Sequence, residues 1–154
     1  MKRVYTGGTF DLFHRGHVNL LKECYDIANG GQVIVSLNGD EFIEAYKGRP
    51  PVMPYEERAA VLEACRYVDK VILNVGGRDS RPAIERAKPD IIVVGDDWQG
   101  RDYMSQLGVT KEWLESHDIK VRYVPYTKGI SSTEIRARMK DEVFRWLESE
   151  TDVD

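Results

Sequence analysis

The sequence predicts an α/β fold in which a doubly wound, five-stranded parallel sheet carries helices on both faces. Three observations predict this class. Short runs rich in Val and Ile alternate with segments whose apolar residues recur every three or four positions. Several of the runs are continuously apolar, as expected of strands that are covered on both faces. Glycine-rich or charged stretches follow the ends of these runs, where parallel sheets bind their ligands.

Five runs are predicted as strands from their β-branched composition: residues 2–6, 32–37, 67–73, 90–95 and 120–124. The helices predicted between them are residues 17–28, a short segment through Phe42 and Tyr46, a segment opened by Pro54, and residues 82–87 and 111–116. A last helix runs from about 131 to 148, because Ser131-x-x-Glu134 is a capping box, and an acidic tail follows. Residues 1–154 are therefore predicted to be a single Rossmann-like domain.

Composition argues against membrane-spanning, disulfide-rich and nucleic-acid-binding proteins. The chain is 42% hydrophobic and 31% charged, which is typical of a globular protein, and no apolar run approaches the roughly 20 residues that span a bilayer. We therefore expect no membrane partner. Cys24 and Cys65 are too few for a disulfide framework or a metal cluster, so we expect a reducing, cytoplasmic location. A net charge of −4 disfavours a nucleic-acid partner.

Candidate ligand-binding residues are most concentrated between the first strand and the first helix, in the stretch Gly7-Gly-Thr-Phe-Asp-Leu-Phe-His-Arg-Gly-His17. Its glycines let a ligand approach the backbone closely. A helix that begins near Gly16 offers free N–H groups to a phosphate. His14 and His17 lie one turn apart there, so their rings would add side-chain donors. The competing interpretation is a helix start with two surface histidines.

This stretch resembles the signature of the HxGH nucleotidyltransferase superfamily, through Gly8-Thr-Phe-Asp11 and His14-x-Gly16-His17. Three later stretches are similar to the glycerol-3-phosphate cytidylyltransferase family: Arg66-Tyr-Val-Asp69, Gly95-Asp-Asp-Trp98 and Thr127-x-Gly-Ile-Ser-Ser-Thr133. The resemblance implies a homodimeric enzyme that uses Mg²⁺. It would transfer CMP from CTP to glycerol 3-phosphate by direct in-line displacement. The products would be pyrophosphate and CDP-glycerol, a precursor of cell-surface polymers.

The resemblance also implies roles for individual residues. The catalytic group would be His14, His17, Lys47 and Asp11, of which Asp11 either orders the first loop or helps to hold Mg²⁺. The nucleotide would contact Thr9, Phe10, Gly16, Arg49, Arg66, Gly95, Asp97, Thr127, Gly129, Ile130, Ser131, Ser132 and Thr133. The acceptor would contact Lys47, Arg58, Asp69 and Trp98.

Structural roles compete with some of these assignments. The competing roles are a solvated loop pair for Lys47 and Arg49, surface salt bridges for Arg58 and Arg66, a structural cap for Asp69, core packing for Trp98, and helix capping for Ser131. Capping by Ser131 is compatible with phosphate binding, because a capped helix start keeps other N–H groups free.

Tyr126 departs from the family pattern, which usually has an Arg at this position. Tyr cannot reproduce a bidentate phosphate contact, so either another cation such as Lys128 or Arg136 covers the charge or the substrate differs. Residues 47–52 also resemble a stretch of the ADP-heptose branch. One alternative is therefore an adenylyltransferase or cytidylyltransferase acting on a sugar phosphate, a phosphocholine-like acceptor or flavin mononucleotide. A nucleotide-binding regulatory module without turnover is the alternative from another class.

Overall fold

The computed structural model describes residues 1–96 and 102–151 and builds them around a five-stranded parallel sheet. The strands are β1 (Arg3–Gly8), β2 (Gln32–Leu37), β3 (Lys70–Leu73), β4 (Ile91–Asp96) and β5 (Lys120–Pro125). The helices are α1 (Arg15–Ala28), α2 (Asp40–Lys47), α3 (Tyr55–Ala64), α4 (Arg81–Ala87), α5 (Tyr103–Leu107), α6 (Lys111–Ser116) and α7 (Ser132–Thr151). The predicted Rossmann-like class is confirmed.

The starts of α1 and β3 differ from the sequence prediction by two and three residues, and one helix was not predicted. Helix α1 begins at Arg15, because His14 accepts an N–H group and so caps the helix. Strand β3 begins at Lys70, since residues 65–68 form a turn in which the N–H of Val68 donates to the carbonyl of Cys65. Helix α5 was not predicted; its five residues are capped by the Asp102 carboxylate, which accepts from the N–H of Ser105.

Alternating strand residues build a core on each face of the sheet. Tyr5, Ile34 and Ile92 pack on one face with residues of α4, α5 and α6. Their neighbours in the strands point the other way and pack against α1 and α3; these include Val4, Val33, Val35 and Val93. Because both faces of the strands are covered, the strands are continuously apolar rather than alternating.

The strand order is β3-β2-β1-β4-β5. Successive strands are therefore added on one side of β1 as far as β3 and then on its other side from β4, so the strand order reverses between β1 and β4. These two strands pair only at Val4 with Ile91 and at Tyr5 with Ile92. Pairing of β1 with β2 continues as far as Gly8, and pairing of β4 with β5 continues as far as Asp96. The two halves of the sheet therefore separate toward their carboxyl ends, which is where such folds bind ligands.

Helix α7 is the longest helix described and extends beyond the body of the domain. Residues 137–150 are all exposed. Across the described part of the chain, no helix combines the length and the apolar character needed to cross a membrane.

Candidate active site

A cleft of about 640 Å³ occupies the gap between β1 and β4. The first loop (residues 9–14, between β1 and α1) forms one wall, and the start of α7 forms another. Below the cleft, Thr6 bridges the gap through a hydrogen bond from its Oγ1 to the carbonyl of Val93 (3.0 Å). An adjoining hollow of about 410 Å³ lies between the α1 and α7 N-termini. His17, Tyr126 and Ser132 line both spaces, so the two spaces adjoin along one wall.

His14, which caps α1, and His17, in the first turn of that helix, form one stacked unit. Their ring centroids are 3.8 Å apart with an interplanar angle of 26°. The N–H of Gly16 donates to Nδ1 of His14 (3.0 Å), and the N–H of His14 donates to Nδ1 of His17 (3.2 Å). Because each Nδ1 is an acceptor, a neutral ring carries its proton on Nε2. The backbone thus sets both rings as Nε2–H donors.

Both rings are held in the neutral state. Burial lowers the pKa of His14. Burial, reinforced by the neighbouring His14, lowers the pKa of His17 to about 3, although Asp11 acts in the opposite direction. The stacked pair therefore stays neutral at pH 7, and its donor capacity does not depend on an ionisation near neutrality.

The start of α1 requires glycine at position 16, and the loop before it contains strained backbone. A Cβ atom at Gly16 would lie 2.9 Å from Cε1 of His14, so a side chain there would displace the capping ring. Phe10 and Leu12 have φ angles of 50° and 51°, a left-handed region that non-glycine residues seldom adopt. Phe10 is nevertheless 5% exposed and lies beside His17, so packing holds the loop in this shape.

Asp11 is bound to the backbone of a second loop. Its carboxylate accepts the N–H groups of Leu12 (3.1 Å), Val52 (2.8 Å) and Met53 (3.0 Å). Oδ2 also lies 3.7 Å from Nη1 of Arg136. Asp11 is 5% exposed, so these contacts are shielded from solvent. Of its two predicted roles, the structure shows the ordering of the loop.

The described residues do not fit a Mg²⁺ site built by the protein. Within residues 1–96 and 102–151, no group of three or more His, Cys, Asp or Glu side chains is placed to hold a metal ion. The Asp11 oxygens already accept three N–H groups. An ion that accompanies a nucleoside triphosphate would be coordinated by phosphate oxygens and water.

The start of α7 closes the cleft opposite α1. The Ser131 hydroxyl accepts from the N–H of Glu134 (3.1 Å), as predicted for a capping box, and Ser132 Oγ donates to the carbonyl of Asp11 (2.7 Å). Thr127 Oγ1 accepts from Asn19 Nδ2 of α1 (2.8 Å). Thr127, Ile130 and Ser131 line the smaller hollow. Gly129 and Thr133 line neither space; Gly129 provides the left-handed turn, with φ of 81°.

Cations surround the cleft unevenly. Lys47, the last residue of α2, and Arg136 of α7 both line it. Burial lowers the pKa of Lys47, and the positive charges of Arg136 and Arg49 lower it further. Arg49 therefore acts on the site through its charge, but its side chain does not line either space. Lys47 and Arg136 thus form an electropositive side wall, and the charge of Arg49 adds to it.

The burial of Arg58 contradicts its predicted contact with an acceptor. Its side chain is 0% exposed. Its guanidinium donates to the carbonyls of Met53, Thr9 and Asn38 at 2.8–2.9 Å and pairs with Asp40. Arg58 therefore connects the first loop, the end of β2, the start of α2 and the loop before α3. It is a positioning residue beneath the site.

Arg66 and Asp69 lie at the opposite edge of the sheet, which contradicts their predicted contacts with nucleotide and acceptor. Both precede the amino end of β3, whereas the cleft lies at the carboxyl ends. The Asp69 carboxylate accepts the N–H of Val33 (2.7 Å), and the N–H of Asp69 donates to the Val33 carbonyl (2.9 Å). Asp69 has the structural role that competed with substrate binding.

Tyr126 covers the glycine at the carboxyl end of β4. A Cβ atom at Gly95 would overlap Cε1 of Tyr126, so the aromatic ring rests against the Gly95 backbone. Both residues line the cleft, and Tyr126 is 52% exposed. The space that Gly95 leaves is thus occupied by a ring that a ligand can contact. The predicted site residues Asp97 and Trp98 lie outside the described residues.

Sequence reasoning missed several polar residues that line the cleft, among them Asn38, Asn74, Arg78 and Tyr103. Asn38 and Asn74 directly follow β2 and β3, and the rule that ligands bind at carboxyl ends of strands could have found them. Asn38 donates to Thr9 Oγ1 (3.2 Å) and accepts from Asn74 Nδ2 (3.0 Å). Tyr103 lies in α5, whose five residues gave no sequence signal.

A cytidylyltransferase-like family model matches residues 5–138 of this chain. The match includes the first loop, both histidines and the start of α7. The chain belongs to the cytidylyltransferase-like family. The predicted nucleotidyltransferase class is therefore confirmed at the level of the family.

Members of this family with named activities fall into more than one group. The chain is 46% identical over 95 residues to a FAD synthase of Pyrococcus horikoshii, and this match covers 62% of the chain and 63% of that protein. It is 37% identical over 139 residues to a glycerol-3-phosphate cytidylyltransferase of Staphylococcus aureus, which covers 90% of the chain and 96% of that protein. The names of these relatives thus give two different activities.

A solved structure of similar fold is the lipopolysaccharide core biosynthesis protein of Thermoplasma volcanium. It superimposes with a TM-score of 0.64 at 28% sequence identity, covering 83% of this chain and 98% of that one. The fold of this chain therefore matches almost the whole of that chain.

Proposed function

We propose that this protein transfers the CMP group of CTP to glycerol 3-phosphate and releases pyrophosphate and CDP-glycerol. The observation that carries the proposal is the stacked pair of Nε2–H donors at the start of α1. It lies beside the start of α7, so two helix N-termini and a side-chain donor pair adjoin one space. Similarity to a glycerol-3-phosphate cytidylyltransferase over 96% of that protein supports this nucleotide and this acceptor.

The proposed reaction is a single in-line displacement. An oxygen of the acceptor phosphate forms a bond to the α-phosphorus of CTP. The bond from that phosphorus to the bridging oxygen of the β-phosphate breaks, and pyrophosphate leaves with the electron pair. The acceptor phosphate is largely ionised at pH 7, so the step needs no general base. Positioning and charge stabilisation remain as the tasks of the protein.

In this proposal, His14 and His17 stabilise the charge that grows on the phosphate oxygens. Their Nδ1 atoms are committed to backbone N–H groups, which leaves Nε2–H as the donor of each ring. A donor fixed by the backbone costs no reorganisation when the charge develops, which is the condition for effective electrostatic catalysis. The rings act as neutral donors, not as acids that lose a proton.

The cationic side wall would hold the two polyanionic substrates together. Lys47 and Arg136 line the cleft, and Arg49 adds positive charge beside Lys47. Lys47 would contact the acceptor phosphate, and Arg136 would replace the charge that an Arg at position 126 supplies in the resembling family. The hydroxyls and N–H groups of residues 131–133 would meet the β- and γ-phosphates. Asp97 and Trp98 keep their predicted roles beside the base and the acceptor.

A second candidate function is transfer of AMP from ATP to flavin mononucleotide. The observation that favours it is the 46% identity to a FAD synthase over 95 residues. The chemistry is the same, because the acceptor is again a phosphate monoester. Tyr126 bears on this choice, since an aromatic ring beside Gly95 would offer a face to a flat ring system.

A grid of nucleotides and acceptors tests the proposal. Pyrophosphate release is measured with CTP or ATP, each against glycerol 3-phosphate, flavin mononucleotide, heptose 1-phosphate and phosphocholine, with Mg²⁺ present. Turnover with CTP and glycerol 3-phosphate is the expected result. Turnover with ATP and flavin mononucleotide alone would establish the second candidate. Binding of CTP without turnover in any pair would indicate a regulatory module and contradict the proposal.

Two further features belong to the proposal. Mg²⁺ would enter with the triphosphate, bound mainly by phosphate oxygens, because the described part of the chain lacks a metal site of its own. The enzyme would act as a homodimer, as the family resemblance implies.

A further inference from the structure

The cleft continues past the histidine pair toward the elements that follow β2 and β3. Phe42 and Tyr46 of α2 line it there. The loop between β3 and α4 contributes Asn74, Gly77 and Arg78. The groups proposed to hold the nucleotide lie mainly in the first loop, at the end of β4 and at the start of α7. This side of the cleft is therefore left for the acceptor of the proposed reaction.

Helix α2 gives the direction in which a bound acceptor extends. Lys47, the last residue of the helix, is the proposed contact of the acceptor phosphate. Phe42 lies five residues earlier, which is about 7.5 Å along the helix axis at 1.5 Å per residue. The rings of Phe42 and Tyr46 stack, with their centroids 5.8 Å apart and an interplanar angle of 11°. A phosphate at Lys47 thus places the body of the acceptor along this aromatic pair.

The loop after β3 is held against the same aromatic pair. Asn74 Nδ2 donates to the carbonyl of Gly77 (2.8 Å) and to Oδ1 of Asn38 (3.0 Å). The N–H of Gly77 donates in turn to the Asn74 carbonyl (3.3 Å). Gly77 has a φ angle of 59°, and a Cβ atom there would lie 3.2 Å from Cδ1 of Phe42, so its backbone packs on that ring. Arg78 therefore enters the cleft from a hydrogen-bonded turn beside Phe42.

The positive charge of Arg78 has no counter-ion nearby. The adjacent carboxylate, that of Asp79, is bound by Arg81, whose Nε and Nη2 donate to Oδ1 and Oδ2 (2.9 Å each). Among residues 1–96 and 102–151, the exposed side chain of Arg78 has no hydrogen-bond or ion-pair partner. A guanidinium has five N–H donors and no acceptor, so in a cleft it is complementary to oxygen atoms of a ligand.

We propose that Arg78 binds the end of the acceptor opposite its phosphate, and selects an end that bears hydroxyl or carbonyl oxygens over one that bears a cation. This role rests on the proposed function. Glycerol 3-phosphate ends in two adjacent hydroxyl groups, and flavin mononucleotide ends in a ring with carbonyl oxygens. Phosphocholine ends in a quaternary ammonium group, which the guanidinium repels. Arg78 lies outside the motifs that carry the family resemblance.

Acceptor kinetics of Arg78→Ala test this role. At saturating CTP, the substitution is expected to raise the KM for glycerol 3-phosphate by about 10-fold or more, because a charge-assisted contact with the acceptor is lost. The KM for CTP should stay within about twofold. Arg81→Ala is the matched control, since it removes the same charge three residues away from a side chain that does not line the cleft. It should leave both KM values within about twofold.

The same two variants distinguish the two sources of oxygen atoms. They are measured with CTP and glycerol 3-phosphate and, separately, with ATP and flavin mononucleotide. A rise in KM confined to Arg78→Ala and to the acceptor supports the role of Arg78 in either pair. The pair in which it occurs shows whether the oxygen atoms are those of a diol or of a flavin ring.

Charge reversal tests the selection against cations. The quantity measured is the kcat/KM with phosphocholine divided by the kcat/KM with the oxygen-bearing acceptor. Arg78→Glu is expected to raise this ratio by at least about 10-fold, because the carboxylate attracts the ammonium group. Arg78→Lys keeps the charge and should leave the ratio within about threefold. Far-ultraviolet circular dichroism verifies that each chain is folded.

Three outcomes would overturn the role of Arg78. Turnover with an unchanged acceptor KM in Arg78→Ala would remove the contact and leave the proposed function in place. An equal rise in the KM values for nucleotide and acceptor would place Arg78 on the nucleotide. An unsubstituted chain that uses neither acceptor would refute the proposed function, and the role of Arg78 with it.

Discussion

At the scale of single residues, the chemistry of the cleft depends on the hydrogen bonds that backbone N–H groups make to two imidazole rings. The N–H groups of Gly16 and His14 each occupy an Nδ1 atom, so the donor atom of each ring is decided before a ligand arrives. Burial keeps both rings neutral. The loop that leads to these rings has left-handed backbone at Phe10 and Leu12.

His17→Ala is expected to lower kcat by 10²–10³, about 3–4 kcal/mol of transition-state stabilisation, with little change in KM. The reason is that the lost donor acts on charge that is present mainly in the transition state. Steady-state pyrophosphate release measures the effect. His117→Ala is the matched control, because His117 is the remaining histidine of the chain and lies exposed at the end of α6. A His17→Ala enzyme with more than half of the original kcat would contradict the assigned role.

Acidification is expected to destabilise the protein through His17. Its pKa is about 3 in the folded chain and near 6.5 when unfolded, so the unfolded state binds more protons between these values. The free energy of unfolding therefore falls as the pH drops from about 6.5 toward 3, by up to about 1.4 kcal/mol per unit. Urea denaturation at pH 7 and pH 5 measures this slope. His17→Asn should have a shallower slope; an identical slope in both chains would contradict the assignment.

At the scale of secondary-structure elements, two buried charged residues hold the loops around the cleft. Arg58 joins the first loop, the end of β2, the start of α2 and the loop before α3. Asp11 joins the first loop to residues 52 and 53, and Ser132 joins it to α7. The walls of the site are therefore connected through side chains that need not touch a substrate.

Arg58→Met is expected to lower the free energy of unfolding by about 3 kcal/mol or more, because it leaves the carbonyls of Thr9, Asn38 and Met53 without their donor. The Asp40 carboxylate is partly solvated and contributes less to this loss. Urea denaturation gives the value. Arg86→Met, at an exposed position of α4, should change it by less than about 0.5 kcal/mol. Equal effects of the two substitutions would contradict the positioning role of Arg58.

Asp11→Asn separates loop ordering from metal binding. The amide cannot accept both N–H groups of Val52 and Met53 as the carboxylate does, so the variant should lose about 1–3 kcal/mol of stability and part of its kcat. The Mg²⁺ concentration for half-maximal rate should stay within twofold, because phosphate oxygens hold the ion. Titration of both chains with Mg²⁺ at saturating nucleotide measures this. A tenfold rise in that concentration would show that Asp11 is a metal ligand.

At the scale of the whole molecule, the sheet itself makes the site. Strands β1 and β4 pair at two positions and then separate, which opens the cleft between the two halves of the fold. The first loop comes from one half and the start of α7 follows the other. A ligand in the cleft contacts both halves, so we expect it to stabilise the entire fold.

The sequence predicted the sheet because its β-branched runs alternate with helical spacing, and it predicted the first loop because glycines and histidines follow a strand directly. It was wrong about Arg58, Arg66 and Asp69 for two physical reasons. Burial of Arg58 depends on carbonyls from distant segments, which no local pattern records. Arg66 and Asp69 precede their strand, and residues before a parallel strand lie at the edge away from the ligand.

Transfer of the nucleotidyl group of CTP to the acceptor is tested by following the label of CTP into the products. The enzyme is incubated with glycerol 3-phosphate and CTP labelled either on the α- or on the γ-phosphorus. We predict that the α label appears in CDP-glycerol and the γ label in pyrophosphate, at rates that fall together in His17→Ala. Release of the γ label as inorganic phosphate, or an α label that stays in CTP although the nucleotide binds, would contradict the proposed nucleotidyl transfer.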